Sequence, residues 1–178
     1  VSALAPDPRW RRALHEASHL VIRLLAGERG LAARLIEPAV IDGHIVRGFV
    51  MPAGATPTTV TAPDWLELLP DARLEEWLGG VLAGAAGEAI LVGLQDLGEC
   101  APALDPRTAD AGLAMAAAGL LARRAGEVSP ERALARTWRR AVDQLERLWP
   151  LVLALADELL ARGELSDTDV LPRLGLAA

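Results

Sequence analysis

Five consecutive residues, His15-Glu16-Ala17-Ser18-His19, form an H-E-x-x-H motif. On an α-helix, positions i and i+4 lie one turn apart on the same face, so both imidazoles can reach one metal ion. Zinc suits such a pair, because it takes neutral imidazole nitrogen and, in a catalytic site, three protein ligands with one position left for water. Glu16 projects about 100° round the helix from His15, close enough to accept a proton from that water without being a ligand. The motif thus supplies two ligands and a base. The bland alternative for the same residues is the edge of an amphipathic helix, with Arg12, Glu16 and Arg23 as its solvated side. Two of the chain's three histidines fall in the motif.

The surrounding sequence predicts the helix the motif needs. Asp7-Pro8 is a cap and first-turn pair, Ala13, Leu14, Ala17, Val21 and Leu24 follow at helical spacing, and Gly27 supplies a stop, giving a helix from about Pro8 to Ala26. Between Leu31 and Pro52 the pattern becomes short β-branched runs around Asp42-Gly43, a hairpin signal weakened by Pro38 and Gly48. Residues 53–63 read as a loop. Helical character returns over 74–94, with Ala and Gly at close-packing positions. Further helices are expected from Asp105-Pro106 to about Arg124, from Ser129-Pro130 to about Leu148, from Pro150 to Gly163, and briefly after Ser166, where Asp169 completes a cap. The expected fold is mainly α, α+β in class, with a small β element packed near the H-E-x-x-H helix, in a single domain over residues 1–178.

The third metal ligand must come from elsewhere in the chain. A metzincin continuation is excluded, because Ile22 and Leu25 stand where that class needs Gly and His. A thermolysin-like site would take a downstream helical Glu, for which Glu88 is the nearest candidate, and an Asp is the other option. The segment from Arg11 to Val21 resembles the zinc helix of FtsH-type proteases, peptidase family M41, whose motif reads approximately H-E-A-G-H-A. Other segments resemble the family in the same order. Arg47-Gly48-Phe49-Val50-Met51-Pro52 is similar to its Gly-aromatic-x-Met-Pro strand, and Gly84-Ala85-Ala86-Gly87-Glu88-Ala89 to its G-R-A-A-E-E helix. Thr108-Ala109-Asp110 is similar to its N-D-L segment, and the run from Leu155 to Leu165 to its closing L-A-x-x-L-L-x-x-E-T-L helix.

This resemblance implies a helical, zincin-like peptidase domain in which His15, His19 and Asp110 bind zinc and Glu16 activates water. It further implies that Glu88 orients the site from beside the metal, with Glu88, Glu99 and Asp105 as competitors of Asp110 for the ligand position. The stretch Val46, Arg47, Gly48, Phe49, Val50 and Met51 would pair with substrate backbone as an added strand. The expected activity is zinc-dependent hydrolysis of peptide bonds in flexible or unfolded polypeptides. The alternatives are an inactive binding or regulatory module that kept the fold, and a different H-E-x-x-H peptidase using Glu88 as ligand. The chain departs from the family pattern at Ser18, in place of Gly, at Ala89, in place of the second Glu, and at Ala109, in place of a polar residue.

Composition bounds the rest. The 178 residues are 52% hydrophobic with net charge −6, and all 18 basic residues are Arg. An acidic chain of this kind is a poor binder of nucleic acid. Without Lys it has no G-x-x-x-x-G-K-[ST] phosphate loop, so unfolding of substrates would need a separate ATPase partner. The longest apolar runs, 81–94 and 111–122, are too short for a membrane span, and residues 1–6 lack the charged region of a signal peptide. A lone Cys100 fits a cytoplasmic location and an incidental thiol. His44 reads as a turn histidine, and the tryptophans as packing residues. The Arg123-Arg124 and Arg139-Arg140 pairs read as solvated helix faces, and the expected assembly is a monomer or small homo-oligomer.

Overall fold

The computed structural model describes residues 7–56, 63–94 and 108–177. Asp7 caps the first helix by accepting a hydrogen bond from Arg9 N–H at 2.8 Å, and Pro8 occupies the first turn, where no N–H is needed. This helix, α1 (Pro8–Leu25), is buried along most of its length from Ala13 onward. It packs against the other helices and the sheet, so the H-E-x-x-H motif lies in the middle of the molecule.

A hairpin follows, formed by β1 (Leu31–Ile41) and β2 (His44–Pro52). Its turn places Asp42 at φ 49° and Gly43 at φ 81°, the left-handed pair that a two-residue hairpin turn requires. Proline 38 breaks the ladder as its missing N–H demands: pairing passes from Leu35 opposite Gly48 to Ala39 opposite Val46, leaving 36–38 in a bulge. A third strand, β3 (Glu164–Ser166), not expected from the sequence, pairs antiparallel with β1 on its other side. The sheet order is therefore β2-β1-β3, and β2 is an edge strand.

The remaining helices are α2 (Asp71–Val92), α3 (Ala109–Arg124), α4 (Glu131–Arg147), α5 (Trp149–Arg162) and a single turn, α6 (Asp167–Val170). The cap of α3 is Thr108, which accepts from Ala111 N–H, while the expected Asp105-Pro106 start lies outside the described residues. Short 3-10 turns at Asp64–Leu68 and Leu171–Leu174 complete the described chain. The capping box expected near the C-terminus is present, with Asp169 accepting from Ser166 N–H and Oγ.

The contact between α1 and α2 decides where the site can form. On α2, Gly80, Gly84 and Gly87 lie at i, i+4 and i+7, and they face Arg23, the two motif histidines and Ser18 respectively. Descending numbers on α1 against ascending ones on α2 mark an antiparallel pair. Each helical glycine costs about 1 kcal/mol relative to alanine, and what it provides here is backbone approach close enough for the histidines to lie against α2. One hydrophobic core extends from this contact to α4, α5 and the inner face of the sheet, and includes the fully buried Trp138. Trp65 is half exposed and meets Trp77 edge to face. Arg124 lies on an exposed helix face, as expected, and there donates to the Glu67 and Leu69 carbonyls and to Asp71. No helix among the described residues is long and apolar enough to cross a membrane.

Candidate metal centre

Three side-chain atoms converge between α1 and the first turn of α3. His15 Nε2 lies 3.0 Å from His19 Nε2 and 3.0 Å from Asp110 Oδ2, and His19 Nε2 lies 3.3 Å from the same oxygen. The histidine spacing follows from helical i, i+4 geometry. Asp110 arrives because the Thr108 cap starts α3 beside α1, a placement that sequence periodicity alone does not give.

The other nitrogen of each ring is held from behind. His15 Nδ1 meets Glu88 Oε1 at 2.8 Å, and His19 Nδ1 meets the Gly80 carbonyl at 2.6 Å. A carbonyl can only accept, and an ionised carboxylate likewise, so both Nδ1 atoms carry the proton. In the neutral rings, both Nε2 atoms then present lone pairs toward each other and toward a carboxylate oxygen. Such a trio needs a cation among its members. Burial alone would lower the pKa of His15, but its hydrogen bonds to Asp110 and Glu88 outweigh this and raise it well above the ordinary value. Burial would raise Asp110, yet the facing imidazoles hold it far below the usual carboxylate range. Without a metal, the positive charge the site demands is carried as a proton on histidine.

The donor set fits a small divalent ion. Tetrahedral ligands at about 2.0–2.1 Å from zinc stand about 3.3 Å from one another, close to the observed edges of 3.0, 3.0 and 3.3 Å. Gly84 lies under the two imidazoles: a Cβ there would fall 2.5 Å from His19 Nε2 and His15 Cδ2 and closer still to His15 Nε2, crowding both nitrogen donors. Among the described residues, this is the one group of three or more His, Cys, Asp or Glu side chains placed to share an ion.

Glu88 is not part of that triangle. One oxygen holds His15 Nδ1, and the other accepts from Arg11 Nε at 2.5 Å. Burial would raise its pKa, but the His15 and Arg11 contacts keep it lowered and ionised. Its place is behind the ring, where it fixes tautomer and orientation. Glu99 and Asp105, as well as Cys100, lie outside the described residues.

Glu16 is buried, 7% exposed, and its carboxylate has no hydrogen-bond partner among the described residues. Burial raises its pKa, opposed by His15 and His19. The alternative reading of Glu16 as part of a solvated side of α1 does not hold: Glu16 is buried beside β2, whose Gly48 lies so near that an added Cβ would stand 2.6 Å from Glu16 Oε1. The glycine that weakens β2 as a strand is the clearance for this carboxylate. Further along β2, the Val50 carbonyl accepts from Arg23 Nη1, and Arg23 also pairs with Glu28 at 2.6 Å. His44 sits at the turn end of β2, four residues from Gly48, roughly 13 Å along an extended strand.

Several participants carry no signal in the sequence that names their role. Gly84 and the Gly80 carbonyl are two, although a Gly spacing of 80, 84, 87 inside a helix does mark a close approach. Known protein families, curated proteins and solved structures were each compared with the chain, and none matches it.

Proposed function

We propose that the chain is a zinc-dependent metalloendopeptidase of the FtsH type, family M41, acting on flexible or unfolded polypeptides. The observation that carries the reading is the convergence of His15 Nε2, His19 Nε2 and Asp110 Oδ2 beside a buried, partnerless Glu16 carboxylate. A helix edge has no reason to gather these groups. The motif resemblance adds weight, because the four segments resembling the family around its site come from α1, β2, α2 and α3, and these elements meet at this point.

In this reading the zinc is held by His15, His19 and Asp110. It supplies Lewis acidity and lowers the pKa of a water molecule toward neutrality. Glu16 takes the proton of the attacking water on a carboxylate oxygen and delivers it to the leaving amine. Burial suits it to both tasks, since a carboxylate with a raised pKa holds a proton more readily than an exposed one. Glu88 and the Gly80 carbonyl keep the imidazole rings aligned while charge develops at the site. The edge of β2 that no strand among the described residues pairs with offers backbone groups on which an extended substrate would add as a strand. The Val50 carbonyl already accepts from Arg23, so that one acceptor of the expected stretch Val46 to Met51 is occupied.

The test is zinc content per chain for wild type and Asp110→Ala, with casein hydrolysis on the same samples and Glu16→Gln as control. Stoichiometric zinc lost with Asp110, and hydrolysis lost in Glu16→Gln with zinc retained, are the expected results. Zinc binding without hydrolysis in the wild type would point to a binding module or to dependence on a separate ATPase. Absence of zinc would refute the proposal. Light scattering is expected to give a monomer or small homo-oligomer.

A further inference from the structure

The two imidazoles of the metal centre are held from behind by groups of very different stiffness. His19 Nδ1 donates to the Gly80 carbonyl, part of the α2 backbone, and that acceptor moves only if the helix moves. His15 Nδ1 donates instead to Oε1 of Glu88, the end of a flexible side chain. A carboxylate on such a stem, left to itself, swings among rotamers and gives the ring no fixed direction. The Glu88 side chain is also 23% exposed, so water competes for its oxygens.

Arg11 removes that freedom. Its Nε donates to Glu88 Oε2 at 2.5 Å, while Oε1 of the same carboxylate meets His15 at 2.8 Å, so each oxygen is committed to a different partner. Arg11 and His15 stand at i and i+4 on α1, one turn apart on the same face, and Glu88 reaches across from α2 to bridge them. Glu88 is in turn one helical turn from Gly84, where the two helices approach most closely around the rings. A carboxylate that spans two donors in this way has both its plane and its reach fixed. Arg11 is half exposed, whereas Glu88 and His15 are mostly covered, so the contacts lead from solvent inward to the ring whose Nε2 faces His19 and Asp110.

We infer that Arg11 is a positioning residue for zinc, acting through Glu88 to hold the His15 ring with Nε2 turned toward His19 and Asp110. This rests on the metal-centre part of the peptidase reading and can be measured without turnover. Two effects of the guanidinium oppose each other, which makes the sign of its removal informative. As a positive charge it repels a divalent cation, so on Coulomb grounds alone its loss would tighten zinc binding. As the clamp on Glu88 it orders a ligand, so its loss loosens binding. Water and salt screen the charge of a half-exposed group, whereas the ordering passes through two direct hydrogen bonds, and the clamp is therefore the larger effect.

The experiment measures zinc affinity of the full chain by competition with a chromogenic chelator at fixed pH. Wild type, Arg11→Met and Arg11→Lys are compared, each with and without Glu88→Ala. Arg11→Met keeps an aliphatic stem and removes the donor, and it should weaken zinc binding about tenfold, the low end of what loss of a group behind a metal ligand costs. The contact with Glu88 is a single N–O bond rather than a fork, so the ammonium of Arg11→Lys can remake it and should recover most of the loss. In the Glu88→Ala chain, Arg11→Met should cause no further loss, because the group it acts through is gone. Unchanged or tighter zinc binding in Arg11→Met, a loss that persists in full without Glu88, or an Arg11→Lys chain as weak as Arg11→Met would each overturn the inference while leaving the metal centre in place. The expected pattern without casein hydrolysis by the wild type would keep the inference and count against the peptidase. A wild-type chain that binds no zinc would overturn both.

Discussion

Replacing Gly84 with Ala should abolish binding at the proposed zinc site without altering His15, His19 or Asp110. The added Cβ would stand 2.5 Å from His19 Nε2 and His15 Cδ2, and closer to His15 Nε2. Ordinary carbon–nitrogen contact needs about 3.4 Å, so both rings must retreat by about 1 Å, whereas metal–ligand distances tolerate about 0.2 Å. Neither ring is free to follow the other, because Glu88 holds one at 2.8 Å and the Gly80 carbonyl holds the other at 2.6 Å. We expect zinc affinity to fall at least a hundredfold, about 2.7 kcal/mol, the upper range for disturbing groups that orient ligands. Zinc retained after dialysis against a competing chelator is the assay, with circular dichroism of the metal-free chain as the check on folding. Gly79→Ala is the matched control on the same helix. Its Cβ would meet Thr137 Cγ2 at an ordinary 3.6 Å, so zinc should stay and the helix should gain up to about 1 kcal/mol. Wild-type zinc affinity in Gly84→Ala would refute the placement of the metal between His15 and His19.

Three further outcomes follow from neighbouring contacts. Gly48→Ala should push the Glu16 carboxylate aside, leaving zinc content unchanged while kcat falls by about a hundredfold, the usual penalty for a displacement near 1 Å, as a casein assay on zinc-loaded protein would show. Gly87→Ala would bring a Cβ into overlap with Ser18 Oγ and to 3.0 Å from Ser18 Cβ, costing about 1–3 kcal/mol, and Ser18→Gly in the same chain should recover most of this in a denaturation double-mutant cycle. The raised pKa of His15 means that, in the metal-free chain, this ring keeps its proton to higher pH than a free histidine. Zinc must displace that proton, so affinity should rise with pH, by up to tenfold per unit while His15 remains protonated, and calorimetry in buffers of different ionisation enthalpy should register proton release.

What the sequence made legible was whatever depends on neighbours along the chain. The H-E-x-x-H pair, the Asp42-Gly43 turn and the Ser166–Asp169 capping box are set by residues within a turn of one another, and each is found where periodicity and capping put it. The three-residue β3 is too short to show alternation, and its pairing to β1 depends on the path of α5, so nothing local announced it. Asp110 was suggested by resemblance, and what separates it from Glu88 in the structure, the nitrogen of His15 that each carboxylate meets, is a fact of three dimensions.

Clearance is harder still to read, because it belongs to the partner. Gly48, seen alone, is a weak strand residue; against Glu16 it is the space in which a buried carboxylate fits. Ser18, seen alone, is a hydroxyl placed where a helix packs closely. Opposite it stands Gly87, where an added Cβ would run into the Ser18 side chain, so the missing side chain on α2 leaves room for the hydroxyl on α1. The hydroxyl so introduced is itself satisfied, donating to the Leu14 carbonyl at 2.8 Å, and needs nothing from the metal centre. A site read only from its ligands would count Ser18 as damage. Read with the helix it faces, the Ser18–Gly87 contact keeps α1 and α2 close, which is what Gly84 and the rings of His15 and His19 require.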